Sequence, residues 1–415
     1  KKGVNFLSEL KDRLPNARSR LDSLRPAAGM PATTEKTVLN ENVKKFYGIV
    51  WREDGSGASS AEIARYLCGY RKKVPQHLLP PEPTLADVEE AVMSTNDSCA
   101  GPDGIPFAIY RKDLTSGGPV CSILRRIIEH LGKGGKGPPA FNSARLFLIA
   151  KTDSLLVADT RPISVTDASN RIVAGCLATA LTPLLQAFLE PTQKGFCPGR
   201  VGTEHVHGLA GQFYGAMTRK EQMFILSLDT ARAFDSISHK FIKKLLRHIQ
   251  LPEWTVLLVD GLLHHVTVRA MIAGDAATPI KITRGVKQGC PFSPLLFIIC
   301  FDVLLWHLEK KKGLSAYGYA DDLALASQRV WRLEEALDTI RAFSKASGLG
   351  LNAKKTVIVG TRKLRTRERL GLDIKGWGQI KQAPSCTYLG VVIGPGVRTE
   401  KVFAAAMKKF NKRLE

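Results

Sequence analysis

Along TLADVEEAVM (84–93) apolar residues fall at 85, 88 and 92, helical spacing, and Thr84 stands where a cap would satisfy the first free amides. A helix is predicted there. SCAGPDGIPFAIYRK (98–112) is crowded with turn residues and reads as a loop opening a helix over about 116–131. GKGGKGPPA (132–140) reads as a flexible basic loop, ARLFLIAK (144–151) as a strand, and 166–189 as a long helix. The pattern changes at 222. MFILSLD (223–229) is an apolar strand that ends on a carboxylate, and helices follow over about 238–248, 253–264 and 293–311. YGYADDLALAS (317–327) places Ala-Asp-Asp between apolar flanks, which predicts strand, tight turn, strand. A helix over about 331–347 precedes GLGLNAKKT (348–356), and CTYLGVVIG (386–394) reads as a last strand. Residues 1–45 are polar and basic, broken by PNARSR and RPAAGMPATTEK, and read as an extended or partly helical arm. No repeat is visible. The fold class is α+β: one antiparallel sheet with helices on one face, preceded by a mixed α/β region.

Composition adds a partner. The 415 residues, 44% of them apolar, suffice for two or three domains with real cores. Sixty Lys and Arg face 38 Asp and Glu, a net charge of +22. Residues 351–415 carry 15 Lys/Arg against 4 Asp/Glu, so half of the surplus sits in the last sixth. Such an excess points to a polyanion, nucleic acid before an anionic membrane; the plain alternative is a solvated basic surface without a partner. The eight cysteines form no CxxC pair and no secretory leader is visible, which favours a reducing compartment. His205 with His207 and His264 with His265 have no cysteine near them, so they read as helix-surface or core residues rather than zinc ligands. The longest apolar run, LLFIICF (295–301), is too short to span a bilayer, so no membrane partner is expected. The chain opens at Lys1 instead of Met and reads as a fragment.

Candidate chemistry lies in the acids. Neighbouring side chains on a regular strand face opposite ways, so Asp321 and Asp322 can share one edge only through a turn. Two carboxylates about 4 Å apart repel by roughly 4 kcal/mol at an effective dielectric near 20. Mg²⁺ removes that penalty, taking one or two carboxylates together with phosphate oxygens. An exposed Asp-Asp turn without a metal is the ordinary alternative. A third acid changes the balance, because FILSLDTARAFDSISH (224–239) ends its strand at Asp229. If that strand lies beside the 317–327 hairpin, three acids can hold two Mg²⁺ ions about 3.5–4 Å apart, the arrangement used for in-line phosphoryl transfer.

SLDTARAFDSISH, RGVKQGCPFSPLLF (284–297) and YADDLALA resemble the palm motifs of reverse transcriptases. AGPDGIPF, DTRPISVTDASNRIVAGCL (159–177), QKGFCPGRVGTEH (193–205), GLGLNAKKT and YLGVVIG are similar to those of non-LTR retrotransposon enzymes, with group II intron enzymes next. Their order is the family's order, over about residues 84–394. The resemblance implies a right-hand polymerase fold with fingers, an antiparallel palm sheet and a thumb mostly absent. It implies Asp229 and Asp321 as the principal metal ligands, Asp322 as a third carboxylate less directly bound, and the Thr230 carbonyl as a backbone ligand. The backbone at Arg232 and Ala233 would receive the triphosphate, and Lys151 and Arg161 would clamp it, the arginine bidentately. Phe234, five residues after Asp229, would be the gate whose ring excludes a ribose 2′-OH; a core phenylalanine is the plain alternative. Gln288 would floor the incoming nucleotide, with Gly289 permitting close backbone approach. Lys355 would protonate pyrophosphate, with Lys354 beside it, and Leu389 and Gly390 would grip the primer end. Arg200 and the basic residues near 362–369 are candidates for template or primer backbone.

The resemblance divides the chain into a basic extension (1–83), fingers (84–222), palm with primer grip (223–394, interleaved with fingers) and the start of a thumb (395–415). It implies two Mg²⁺ ions (Mn²⁺ as the alternative), deoxynucleotides, template RNA, primer or target DNA, and a nuclear location. Phe292 stands where the family often has leucine, and no endonuclease, zinc finger or DNA-binding motif is visible, so those segments would be separate. Three other readings remain, of which a basic nucleic-acid module of unrelated fold would leave the motif order unexplained. An RNA-dependent RNA polymerase shares the Asp-Asp hairpin and could use Asp235 for the 2′-OH, though Phe234 and QGCPFSP argue against it. A non-catalytic RNA-binding scaffold would keep the fold, though all three acids are present.

Overall fold

The computed structural model describes residues 24–25, 32–53, 55, 57–151, 154–272, 275–397, 402 and 407. The start of the basic arm and most of the segment read as the thumb's beginning lie outside these residues. In chain order the strands are β1 (Ser143–Ala150), β2 (Thr160–Thr166), β3 (Phe224–Leu228), β4 (Thr230–Ala231), β5 (Val266–Ile272), β6 (Asp275–Ala276) and β7 (Ile280–Ile282). They continue as β8 (Ser315–Tyr319), β9 (Asp322–Ser327), β10 (Gly350–Leu351), β11 (Val357–Gly360), β12 (Lys381–Gln382), β13 (Cys386–Tyr388) and β14 (Val391–Ile393). Two compact units share the chain. The first takes the described residues up to Gly57, Lys73–Leu184 and Phe234–Leu295; the second takes Ala58–Lys72, Leu185–Ala233 and the described residues from Leu296 onward.

In the first unit the sheet runs β2-β1-β5-β6, with β7 also on β5. β1 is antiparallel to β2 but parallel to β5. The core behind it combines Leu146 and Val268 with Leu39, Val43, Tyr47 and Trp51 from the helix Lys36–Val50 and its cap. Part of the segment read as an arm is therefore a helix whose apolar residues at four-residue spacing are buried against strands. The helix Leu85–Met93 begins as expected: Thr84 and Asp87 form a reciprocal capping box. A helix also occupies Phe107–Thr115, inside the stretch read as loop, because Pro106 can open a first turn and Phe107 and Tyr110 share a buried face.

The second unit holds the sheet β12-β11-β3-β9-β8. All its pairings are antiparallel except β11 with β12. β3 is central, buried at Phe224, Ile225, Leu226 and Leu228. Helix Gly202–Thr218 packs Leu209, Phe213 and Ala216 into the same core as Ile225, Tyr317 and Val359. The stretch read as one strand at 386–394 is instead a hairpin, β13–β14. Leu389 (φ 47°) and Gly390 (φ 84°) form its two-residue turn, the left-handed pair that suits a right-twisted ribbon. Helix Ala168–Phe188 is long and apolar enough to cross a membrane by length and composition, and half of its apolar window is buried inside the protein.

Candidate active site

β8 and β9 pair from Ser315↔Ala326 to Tyr319↔Asp322, leaving Ala320 and Asp321 as a two-residue turn. Ala320 adopts φ 54°, the left-handed conformation that such a turn demands at its first position. On its other side β9 pairs with β3 up to Leu228↔Leu323. Just beyond this last pair stand Asp229 on the β3 side and Asp322 on the β9 side, near enough for the Asp229 charge to act on the Asp322 carboxyl. The Thr230 hydroxyl joins strand end to turn by donating to the Asp321 carbonyl at 3.4 Å. The three acids thus meet at one end of the sheet. Asp229 and Asp321 are half-buried and Asp322 keeps surface in solvent. The Asp322 carboxyl is nonetheless pushed up to about 6, first by its partial burial and then by the charges of Asp321 and Asp229.

Asp229 is held by its backbone. Its N–H donates to the Thr356 hydroxyl at 3.3 Å, and its carbonyl accepts from the Asn352 N–H at 2.8 Å. Thr356, wholly buried, donates in turn to the Asn352 carbonyl at 2.9 Å. β10 pairs with β4, Leu351 opposite Thr230. Lys354 and Lys355 are exposed on the turn between Asn352 and Thr356, so the lysine position stays within the same local structure as Asp229. Neither Asn352 nor Thr356 stands out in the sequence; the Asn-to-Thr spacing of four is the only available signal. Leu389 is half-buried and, with Val201, Tyr319 and Val391, lines a cavity of about 650 Å³.

Of the other predicted residues, Lys151, Arg161, Phe234 and Gln288 lie in the first unit, and Arg232 and Ala233 in the second. Lys151 follows β1 and Arg161 lies on β2, both exposed, at one end of the β1–β2 ladder, where Ile149 pairs with Arg161. Two residues along β2, Ile163 forms a parallel bridge with Gln288, and the Gln288 carbonyl accepts from the Ser164 N–H at 2.7 Å. Gly289 (φ 108°) sits so close to β2 that a Cβ would stand 2.6 Å from the Ser164 carbonyl, so glycine is required there. The Phe234 carbonyl accepts from the Val286 N–H at 2.7 Å. The backbone of the predicted gate is therefore tied to the loop that carries the predicted floor. Lys287, between Val286 and Gln288, is buried, its ammonium 3.5 Å from the Leu262 carbonyl, and burial holds its pKa below the usual lysine range. Arg232 has φ 52°, and Ala233 is buried.

Asp235 is buried and accepts from the Trp51 indole N–H at 3.1 Å. Arg200 is not a surface cation for phosphate. Its guanidinium donates to the Glu190 and Gln193 carbonyls at 2.6 and 2.8 Å and to those of Gln186 and Leu189 at 3.1 Å, closing the exit of helix Ala168–Phe188. Arg362 is likewise engaged, by Glu368 and Gln222 and over the Phe224 ring, whereas Lys363, Arg365 and Arg367 are exposed.

Among the described residues no three His, Cys, Asp or Glu side chains close into a ready-made metal cage. The donor set still fits a hard divalent cation. Mg²⁺ keeps several waters and takes one or two carboxylates plus substrate phosphate, and such an ion would relieve both the burial and the neighbouring charges that push the Asp322 carboxyl up. An antiparallel sheet with acids at one end is the arrangement that the resemblance to polymerase palms led us to expect.

Comparison with known proteins agrees. Residues 149–393 match the family model for reverse transcriptase (RNA-dependent DNA polymerase). The chain belongs to that family. It is 30% identical over 287 residues to the Pol polyprotein of the type-1 retrotransposable element R2 of Popillia japonica, covering 66% of this chain and 38% of the relative. It is 31% identical over 273 residues to the Pol polyprotein of the type-2 element R2DM of Drosophila melanogaster, covering 64% and 25%. The 149 kDa protein of transposon TX1 from Xenopus laevis is 25% identical over 66% of this chain and 22% of its own length. These relatives place the chain with the non-LTR retrotransposon branch of the family. The chain spans well under half the length of each.

Proposed function

We propose that this chain extends the 3′-OH of a primer with deoxynucleotides, copying RNA by target-primed reverse transcription for a non-LTR element. The observation that carries the reading is the meeting of Asp229 with Asp321 and Asp322 where β3 ends beside a two-residue turn. Asp229 and Asp321, with Asp322 and the Thr230 carbonyl, would hold two Mg²⁺ ions (or Mn²⁺). Such ions, when bound, activate the attacking hydroxyl and neutralise the leaving pyrophosphate. The protein's own residues do the rest. Lys151 and Arg161 clamp the triphosphate with the backbone at Arg232 and Ala233, Gln288 supports the base, and Phe234 shuts out a 2′-OH. Lys355 delivers a proton to pyrophosphate, and the Leu389–Gly390 turn supports the primer end.

Fingers over 84–222, palm over 223–394 and the start of a thumb from 395 remain our partition of the chain by function. Work on chromosomal DNA places the protein in the nucleus, with nicking and DNA recognition supplied by other segments of a longer polyprotein. The RNA-polymerase alternative is disfavoured by Asp235, whose carboxylate is buried against Trp51.

Primer extension on an RNA template, with deoxynucleotides and Mg²⁺, tests the reading. Asp229→Ala and Asp321→Ala should each lower extension by about 10³-fold or more while RNA affinity holds. Extension retained by either variant overturns the metal assignment.

A further inference from the structure

The catalytic turn is gripped from outside its own hairpin. Thr192–Lys194 lies along β8, the edge of its sheet: Gln193 bridges Gly318 in parallel, the Gly318 N–H donates to Thr192 at 3.0 Å, and the Lys194 N–H donates to Gly318 at 2.9 Å. The Gln193 side chain is wholly buried. Its amide oxygen accepts from the Ala320 N–H at 2.8 Å and from the Gly195 N–H at 2.9 Å, and its NH₂ faces the Ala320 carbonyl at 3.4 Å. Both backbone groups of the residue preceding Asp321 are therefore read by one side chain. Gly195 faces the same turn so closely that a Cβ would stand 2.3 Å from the Ala320 nitrogen. Behind this contact Arg200 holds the Gln193 carbonyl, His205 is hydrogen-bonded to the Thr192 carbonyl at 2.7 Å, and buried Asp302 accepts from the Glu190 N–H at 2.6 Å.

Ala320 has no intrinsic preference for φ 54°, a region costly for any residue with a Cβ. A buried, doubly engaged amide is a strong means of holding it there, because polar groups in a low-dielectric interior bond firmly and tolerate no loss of partner. We propose that Gln193 is a positioning residue for Asp321: it fixes the Ala320 backbone and thereby the direction in which the next carboxylate leaves the turn. The inference rests on the reading of Asp321 as catalytic. It gives the QKGF segment a role in catalytic geometry that is separate from any contact with template.

Two variants disturb the same turn in different ways. Gln193→Met keeps the side chain's length and removes its hydrogen bonds, while Gly195→Ala leaves Gln193 intact and presses a methyl group on Ala320. Each should lower kcat about ten- to a hundredfold, the scale of a misplacement near 1 Å. Each should also raise the Mg²⁺ concentration needed for half-maximal rate, with deoxynucleotide KM and RNA Kd within about twofold of wild type. A general packing role would not move the Mg²⁺ requirement. If Gln193→Met does not fold, Gly195→Ala decides. Wild-type kcat and Mg²⁺ requirement in the variants that fold overturn the proposal. Asp321→Asn, run alongside, separates the two claims: its retained activity sinks the catalytic reading, whereas its loss beside a normal Gln193→Met sinks only this inference.

Discussion

The amide N–H of Asp229 donates to the hydroxyl of Thr356, which lies 127 residues further along the chain and is shut off from solvent. The hydroxyl passes the bond on to the Asn352 carbonyl, and the Asn352 N–H returns to the Asp229 carbonyl. Both backbone groups of the first acid are thus committed before any ligand arrives. Thr356→Val keeps shape and removes the acceptor, leaving a part-buried N–H unpaired at a cost of about 1–3 kcal/mol. Turnover should fall with little change in deoxynucleotide KM, and Thr356→Ser should restore it. Steady-state extension kinetics on the three proteins check this, and a normal Thr356→Val shows that Asp229 needs no such anchor.

Phe234 is half-buried, and its backbone is tied to the 284–289 loop through Val286. Gly285 reinforces the tie, since a Cβ there would meet the Asp235 carbonyl at 2.6 Å. Phe234→Ala should lower discrimination against ribonucleotides by at least about tenfold in the ratio of kcat/KM values. Competition between ATP and dATP on one template measures it, and an unchanged ratio removes Phe234 from the gate.

The Asp322 carboxyl carries its proton up to about pH 6 in the folded protein but only to about 4 when exposed in the unfolded chain. The folded state therefore holds more protons across that window, and the site's contribution to stability falls as pH rises from about 4 through 6. Without divalent ions, Asp322→Asn should melt higher than wild type at pH 7.5 and should match it below about pH 4. Added Mg²⁺ should raise the Tm of wild type more than that of the variant. Thermal melts with EDTA or Mg²⁺ test both statements, and a pH-independent difference would contradict the origin given for the shift.

Arg200 should behave as part of the fold. Arg200→Ala leaves several carbonyls at a helix exit without their charged donor and should cost about 1.5–3 kcal/mol of stability. The slope of RNA affinity against salt should stay as in wild type, whereas removing a phosphate contact would shift it by nearly one ion. Parallel denaturation and binding titrations separate these outcomes.

The Asp-Asp hairpin is legible because apolar flanks and a charged centre coincide in eleven residues, and β3 because it ends abruptly on Asp229. Their adjacency was inferred from chemistry, and the β3–β9 register now supplies it. Other features left weaker marks. Leu389 adopts a positive φ that its residue type does not advertise, so the β13–β14 hairpin reads as one strand. Arg200 sits among Gly and Pro, and nothing local shows that helix-end carbonyls face it. The parallel pairing of β1 with β5 joins residues more than a hundred positions apart, beyond the reach of any periodicity. Leu39, Val43 and Tyr47 did carry helical spacing; the surrounding lysines and the upstream prolines obscured it.

The central position of β3 has a consequence during synthesis. Its partners β9 and β11 emerge roughly 100 and 130 residues later, so PheIleLeuSerLeu leaves the ribosome with no strand to meet. At ordinary translation speeds that wait is on the order of ten seconds, long enough for an apolar segment to find the wrong neighbour. A nascent chain stalled before residue 323 should therefore recruit chaperones, and one released after residue 360 should need them far less.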